Sequence, residues 1–333
     1  MLDFMPSILA ASFAMLTDPG FIRGLLARGL WARVVLAALA LSLSGCAWLD
    51  AQQHQIALRP TPGKPAGTAP DHQLFKPKDE RRLLPIAAHG RQRADGAPAT
   101  TPDLVAVWWL PHADPDAPSL LYLHGTFRNL YRNLPKINAL REAGFSVLAV
   151  DYRGWGDSTA IIPTEATITA DAALAWAEFK RRQPDPALRV IFGHSMGGSV
   201  AVRLASGLRG APDAGKARDY AALVLESTFT RMPDVAGEAG VVGRLLARWT
   251  TIEFDSLSRI DQIDAPLHML HSAKDDTVPI ALGRRLRDAA RPGVQWTEFA
   301  EGTHSRLHSE VPQQYRQLLG AVAKAVRDGA QSR

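Results

Sequence analysis

The chain has 333 residues, of which 46% are hydrophobic and 21% are charged, so its composition is that of a globular protein and excludes a disordered or fibrous one. A single cysteine excludes a small fold held together by internal disulfides. The formal net charge is +5, but the arginines are scattered without a basic cluster between aromatic residues, so no nucleic-acid partner is expected. The length predicts one or two domains.

Residues 1–45 have the pattern of a secretory signal. Arginines come before the apolar run 34–43, which is too short to span a hydrocarbon core because that needs about 20 residues. The run ends in Leu43-Ser44-Gly45-Cys46, which resembles the lipobox of bacterial lipoproteins, and Cys46 is the only cysteine of the chain. The resemblance implies cleavage before Cys46, acylation of this residue and attachment to a membrane. Because the segment before the first arginine is long for a signal, Met15 is an alternative start.

The residue after Cys46 indicates the membrane to which the protein is expected to be attached. Ala47 stands where inner-membrane lipoproteins of Gram-negative bacteria tend to have Asp, so the resemblance implies the outer membrane of the cell envelope, facing the periplasm. The alternatives are an uncleaved anchor over about 25–43, which Arg28 and Arg33 disfavour, and a buried free thiol.

Residues 46–79 are polar and are interrupted by five prolines. Such a run is not expected to sustain a helix or a central strand, because proline lacks the backbone N–H. We interpret the segment as a Pro-rich tether that connects the membrane anchor to a body at 80–333.

From about residue 80, short apolar runs alternate with segments of helical period, which predicts an α/β fold with a largely parallel sheet. The expected strands are 104–110, 120–123, 146–150, 189–192, 222–225, 267–270 and 294–299. Helical spacing is clear at 168–179 and 311–326. Chemistry is expected at the carboxyl ends of the strands, as in other open parallel sheets.

The fourth expected strand runs into Gly193-His194-Ser195-Met196-Gly197, and a helix of small residues follows. Gly-x-Ser-x-Gly between a strand and a helix is typical of a sharp turn that exposes a nucleophile, and its glycines avoid Cβ atoms that would collide. The pattern predicts Ser195 as the nucleophile, with the Met196 N–H directed at a developing oxyanion.

Further motifs come in a characteristic order. They are His124-Gly125-Thr126, Asp151-Tyr152-Arg153-Gly154-Trp155-Gly156-Asp157-Ser158, Glu226-Ser227-Thr228 and Asp275-Asp276-Thr277-Val278-Pro279. With them the sequence resembles the α/β-hydrolase superfamily over roughly residues 80–325, and within it the monoacylglycerol-lipase/serine-aminopeptidase-like and Bem46-type branch. The resemblance implies an α/β-hydrolase fold, a mostly parallel twisted sheet with helices on both faces, and a small cap at about 229–260.

A serine hydroxyl becomes nucleophilic when an imidazole takes its proton, and an acid orients that imidazole. In this fold the acid and then the base follow the serine along the chain. The family pattern Asp-x-x-Val-Pro selects Asp275 as the acid, and Gly-x-His behind the last strand selects His304 as the base. Asp276 and Glu226 are the alternative acids, and His308 is the alternative base.

Other polar residues near the motifs have less direct expected roles. His194 and His271 are expected to be structural, and His124 is expected to brace its loop. The second oxyanion donor is expected to be the Thr126 N–H, although many relatives carry Asn-Ala-Gly where this chain has Thr126-Phe127-Arg128. Arg128 and Arg132 are candidates for contact with an anionic group, but solvated surface arginines are the favoured interpretation.

The main hypothesis is a lipid-anchored serine hydrolase that cleaves a carboxylic ester or thioester of a small-molecule or lipid-like acyl substrate through an acyl-enzyme. The alternatives are a serine aminopeptidase or amidase on the same triad, and a non-catalytic binding protein of the envelope. No metal or organic cofactor is expected, because the chain has no Cys-x₂-Cys pair and no Gly-x-Gly-x-x-Gly. The sequence carries no signal for an oligomeric state.

Overall fold

A computed structural model of the protein describes residues 48–88, 101–126, 128–210, 217–238, 240, 245, 247 and 250–332. The chain divides into two compact units, Met1–Gln52 and Gln53–Arg333. The expected signal and Cys46 lie outside the described residues, as do Val241, Val242, Leu246 and Trp249 of the expected cap. None of the helices formed by the described residues has the length and apolar character needed to cross a membrane.

In the described part of the second unit, eight strands form one sheet in the order β1-β2-β4-β3-β5-β6-β7-β8. The strands are β1 (Glu80–Ile86), β2 (Asp103–Leu110), β3 (Ser119–Leu123), β4 (Ser146–Asp151), β5 (Arg189–His194), β6 (Ala222–Glu226), β7 (Leu267–Ser272) and β8 (Gln295–Phe299). The β1–β2 and β2–β4 pairs are antiparallel, and all later pairs are parallel. The predicted mostly parallel sheet is confirmed.

Helices cover both faces of this sheet. Helix α1 spans 48–58 and crosses the boundary between the two units. The later helices belong to the second unit and are α2 (Asp71–Leu74), α3 (Leu130–Glu142), α4 (Glu165–Arg182), α5 (Met196–Gly207), α6 (Met232–Glu238), α7 (Ile280–Ala289), α8 (Leu307–Glu310) and α9 (Pro312–Gln331). Leu134 of α3 and Leu319 of α9 belong to the core on one face, whereas Ile168 of α4, Val200 of α5 and Leu286 of α7 belong to the core on the other. Because both faces are covered, the central strands are continuous apolar runs.

Part of the segment 46–79, which we interpret from the sequence as a tether, packs against the body. Helix α1 ends before the first proline of the segment, and Leu58 at its end is fully buried in the core. Farther along, the Gly63 N–H donates to the Gly156 carbonyl over 2.6 Å, and the Gly156 N–H donates to the Thr61 carbonyl over 3.0 Å. The prolines at 60–65 interrupt regular structure but do not prevent packing, because loop backbone groups of the body pair with this segment.

Strand β1 is absent from the sequence prediction. Its residues are mostly exposed, it carries charged side chains, and Pro85 lies within it. It forms the edge of the sheet and pairs with β2 alone, and an edge strand tolerates proline because one row of its backbone groups faces outward. Strand β1 therefore lacks the alternation of apolar and polar residues by which the sequence would have predicted it.

Candidate active site

Ser195 lies in the turn between β5 and α5 with φ 56° and ψ −125°, a left-handed conformation that non-glycine residues rarely adopt. Two glycines make this turn possible. A Cβ on Gly193 would overlap the Gly197 carbonyl, and a Cβ on Gly197 would lie 2.6 Å from the carbonyl oxygen of His124. The backbone of the turn is held by hydrogen bonds from Ser195 N–H to Glu226 O (2.9 Å) and from Gly198 N–H to Ser195 O (2.8 Å).

Three side chains that are distant in sequence meet above this turn. His304 Nε2 lies 2.9 Å from Ser195 Oγ, and His304 Nδ1 lies 2.8 Å from Asp275 Oδ2. Asp275 follows β7 and His304 follows β8, so both come from the carboxyl ends of neighbouring strands. The arrangement is able to move the Ser195 proton to His304 while Asp275 holds the other ring nitrogen.

The Asp275 carboxylate is buried yet has several donors around it. Its Oδ1 accepts the backbone N–H groups of Thr277 (3.0 Å) and Val278 (2.8 Å), and its Oδ2 lies 3.2 Å from His271 Nε2 as well as beside His304. Burial alone would raise the pKa of Asp275, but the hydrogen bonds with His271 and His304 outweigh it and hold this pKa well below the usual value. Asp275 is therefore ionised wherever His304 is able to act as a base.

The alternative acids are placed differently. Asp276 is exposed, and its carboxylate accepts the Thr277 hydroxyl over 3.2 Å. Glu226 is fully buried at the end of β6, where one carboxylate oxygen contacts Lys136 Nζ and the other accepts the Tyr315 hydroxyl over 2.8 Å. His304 Nδ1 thus donates its hydrogen bond to Asp275 and to neither alternative.

The histidines expected to be secondary also have defined partners. His194 Nε2 lies 3.0 Å from the carbonyl oxygen of His304, and burial lowers the pKa of His194 well below its usual value. His308 is half-buried, its Nδ1 has no hydrogen-bond partner among the residues that the structure describes, and burial lowers its pKa to about 4. The hydroxyl of Ser195 is bonded by His304 and not by His308.

The loop after β3 lies on the other side of Ser195. A Cβ on Gly125 would lie 2.9 Å from Ser195 Cβ, so the backbone approaches the nucleophile closely. His124 Nδ1 lies 2.6 Å from the Gly125 carbonyl oxygen, and His124 Nε2 lies 3.3 Å from Asp151 Oδ1 in a fully buried contact. In a trans peptide the C=O and the following N–H point in opposite directions, so His124 sets where the Thr126 N–H points.

A small pocket of about 10 Å³, room for roughly one water molecule, lies over Ser195. Its lining consists of Gly125, Thr126, Arg128, Asn133, His194, Ser195, His304 and Ser305. Met196 is the first residue of α5, directly after the nucleophile. Among the described residues, no group of three or more His, Cys, Asp or Glu side chains is placed to hold a metal ion.

Sequence reasoning missed the specific contacts of two residues. His271 has a direct contact with the Asp275 carboxylate, and its position at the end of β7, four residues before that acid, was the available signal. Lys136 lies inside the amphipathic helix α3 and is 2% exposed. No local pattern distinguishes it from a solvated lysine, because its partner Glu226 is 90 residues away in sequence.

Comparisons with known proteins show what this chain is similar to. The family model described as serine aminopeptidase, S33, matches residues 115–258. The chain is 33% identical over 200 residues to the zebrafish (Danio rerio) lysophosphatidylserine lipase ABHD12, a match that covers 56% of this chain and 50% of that protein. It is also 33% identical over 190 residues to human protein ABHD12B, covering 52% of this chain and 50% of that protein. The chain thus spans about half the length of these relatives.

Solved structures share the fold. The Pyrococcus furiosus esterase Pf2001 aligns with a TM-score of 0.57 and 18% identity, covering 80% of this chain and 98% of that one. An alpha-beta hydrolase from Vibrio vulnificus aligns with a TM-score of 0.53 and 19% identity, covering 76% of this chain and 81% of that one. The chain has the α/β-hydrolase fold. The residues matched by the family model include the turn that carries Ser195.

Proposed function

We propose that the protein is a serine hydrolase that cleaves a carboxylic ester of a lipid-like or small acyl substrate. Ser195 is the nucleophile, His304 the base and Asp275 the acid that orients it. The observation that carries the proposal is the pair of hydrogen bonds on His304, 2.9 Å to Ser195 Oγ and 2.8 Å to Asp275 Oδ2. The lysophosphatidylserine lipase named among the relatives supports a lipid-like ester as the substrate class.

The proposed reaction has two halves. Ser195 Oγ attacks the carbonyl carbon while its proton moves to His304 Nε2, and the carbonyl oxygen becomes an oxyanion that the N–H groups of Thr126 and Met196 stabilise. The tetrahedral species collapses, the C–O bond to the alcohol breaks, and His304 gives its proton to the leaving alcohol. Water then attacks the acyl-enzyme by the same route, which releases the acid and restores the Ser195 hydroxyl.

A labelling experiment tests the nucleophile. A fluorophosphonate probe is expected to label the wild-type protein and to leave Ser195→Ala unlabelled. Ser199→Ala is a matched control, because Ser199 is also a buried serine near the start of α5 but its hydroxyl pairs with Ser256 at 2.6 Å. Labelling that persists in Ser195→Ala, or that is lost equally in Ser199→Ala, contradicts the proposal.

An amidase or aminopeptidase is the second candidate, and the description of the matching family model favours it. A panel of p-nitrophenyl esters of graded chain length, measured beside aminoacyl anilides, separates the two. The proposal expects a higher kcat/KM for the esters at every matched acyl size. An anilide that outperforms the esters would establish the second candidate instead.

We also propose that the protein is attached to the bacterial outer membrane, facing the periplasm, through acyl chains on Cys46. The support is the sequence pattern Leu43-Ser44-Gly45-Cys46, with two or more acyl chains needed for stable anchoring. Cys46→Ser is expected to release the protein from the membrane fraction, and metabolic labelling with a fatty-acid analogue is expected to disappear. Ser44→Ala keeps a small residue before the cysteine and is expected to retain both. Membrane retention by Cys46→Ser would refute the anchor.

A further inference from the structure

Arg128 is a cation at the active-site pocket whose charged head has no partner among the described residues. It is half-buried and lines the same pocket as Ser195 and His304. Its guanidinium makes no hydrogen bond or ion pair with any residue that the structure describes. Among the described residues, other half-buried arginines are engaged, such as Arg182 with Glu80 and Arg218 with backbone carbonyls.

The main chain of Arg128, in contrast, is held in place. Asn133 Nδ2 donates to the Arg128 carbonyl over 3.0 Å and to the Asn129 carbonyl over 3.0 Å, and Asn133 Oδ1 accepts the Tyr122 hydroxyl over 3.1 Å. The base of the side chain is therefore fixed by buried groups while its head remains free. On the protein side, binding an anion here requires the ordering of this one side chain and leaves the backbone as it is.

The charges around the pocket leave Arg128 uncompensated. Lys136 is neutralised by Glu226, and Asp275 is engaged by His304 and His271. Burial is the main cause that lowers the pKa of Lys136 and of His308, and the charge of Arg128 lowers both further. Within the part of the chain that the structure describes, the positive charge of Arg128 therefore faces this side of the pocket without a compensating anion.

We propose that Arg128 recognises a carboxylate or phosphate group that the substrate carries near its scissile ester. The planar guanidinium offers a fork of N–H donors that matches two oxygens of either anion. Arg128 follows the expected oxyanion donor Thr126 by two residues, so the anion is bound beside the reacting carbonyl. This inference rests on the proposed function, because it names the charge of the substrate that Ser195 attacks.

Two pairs of esters test the inference and distinguish the two sides of the scissile bond. Monooctanoylglycerol and its phosphate monoester differ by an anion on the alcohol side, whereas dimethyl adipate and methyl hydrogen adipate differ by an anion on the acyl side. The measured quantity is the ratio of kcat/KM for the anionic ester to that for its neutral partner. In Arg128→Gln this ratio is expected to fall about tenfold or more in at least one pair, since charge-assisted hydrogen bonds are lost.

Two further variants serve as controls. Arg128→Lys keeps the charge without the fork, and it is expected to retain part of the preference. Arg132→Gln makes the same chemical change on an exposed arginine that does not line the pocket, and it is expected to leave both ratios unchanged. Circular dichroism and the hydrolysis of the neutral esters show that each variant is folded.

The outcomes are distinct. A ratio that is unchanged in Arg128→Gln for both pairs overturns the inference and leaves the proposed function intact. An equal loss on neutral and anionic esters also overturns it, because Arg128 then acts on the oxyanion or on its loop. A wild-type protein that hydrolyses none of the four esters and resists the fluorophosphonate probe overturns the proposed function itself, and the inference with it.

Discussion

His194 Nε2 lies 3.0 Å from the carbonyl oxygen of His304, so the residue before the nucleophile holds the loop that carries the base. Burial, followed by the charge of Lys136, lowers the pKa of His194 well below its usual value, and the ring is neutral near neutral pH. A neutral imidazole with its proton on Nε2 donates to this carbonyl. His194 is therefore a positioning residue that acts through the backbone of His304.

His194→Ala is expected to lower kcat by about tenfold to a hundredfold with little change in KM, because a base displaced by about 1 Å loses much of its efficiency. His194→Gln keeps a side-chain donor and is expected to recover part of the loss. Steady-state kinetics on one short-chain ester measure both. Full kcat in a folded His194→Ala variant would show that the loop is held without this bond.

The lowered pKa of Asp275 leads to a prediction about pH and stability. The folded protein holds the Asp275 proton less tightly than the unfolded chain does, whose pKa is about 3.9. The stabilising contribution of the ionised carboxylate is complete above that value and is lost as pH falls through the lower folded pKa. Urea unfolding at about pH 7 is expected to show Asp275→Asn as destabilised, with the difference from wild type shrinking at about pH 3.

The same variant tests the chemical role of this acid. Asp275→Asn is expected to lower kcat about a thousandfold or more, because the amide no longer holds His304 in the required tautomer. Asp276→Asn is the matched control, since Asp276 is exposed, and its kcat and unfolding curves are expected to follow wild type at both pH values. Equal effects of the two substitutions would contradict the assignment of Asp275.

The contact of His124 with the Gly125 carbonyl predicts an effect on the oxyanion site. His124→Ala frees the peptide that carries the Thr126 N–H, and loss of one oxyanion donor costs about a hundredfold to a thousandfold in kcat. Slower labelling by the fluorophosphonate probe is expected as well, because phosphonylation also places charge on an oxygen there. His72→Ala, on an exposed histidine of α2, is the control. Unchanged kcat in a folded His124→Ala variant would remove His124 from this role.

The buried pair of Lys136 and Glu226 predicts a large effect on the free energy of unfolding. Lys136→Met leaves the Glu226 carboxylate buried without its cation and is expected to cost about 3 to 5 kcal/mol. Adding Glu226→Gln to that variant is expected to restore part of the loss, because no unpaired charge remains. Lys324→Met is the control, since the Lys324–Asp328 pair is exposed and worth little. Urea unfolding measures all three, and equal curves for Lys136→Met and Lys324→Met would contradict the argument.

The nucleophile turn predicts opposite effects for two glycines of α5. Gly197→Ala would drive its Cβ into the carbonyls of Leu123 and His124, so a loss of several kcal/mol in stability is expected. Gly207→Ala meets open space in the same helix and is expected to stabilise the protein by about 0.5 to 1 kcal/mol. Thermal melts measure both. A Gly197→Ala variant as stable as wild type would show that the turn is able to relax.

The sequence alone indicated the central strands, the two most regular helices, and the motif residues Ser195, Asp275 and His304, which the structure brings within hydrogen-bond distance. These features have local sequence signals, because each short motif directly follows a strand. The motifs also come in the order that is typical of one fold. The edge strand β1 and the packing of residues 53–79 have no such local signal, because contacts with distant residues stabilise them.

Only the tertiary structure decided which partners the buried polar groups have. Lys136 on α3, Glu226 on β6 and Tyr315 on α9 form one buried cluster, and each resembles an ordinary residue of its own segment. The same is true of His271 beside Asp275 and of Arg128 at the pocket. A side-chain contact across many residues leaves no periodic trace in the sequence, since its energy depends on where the folded backbone places the two groups.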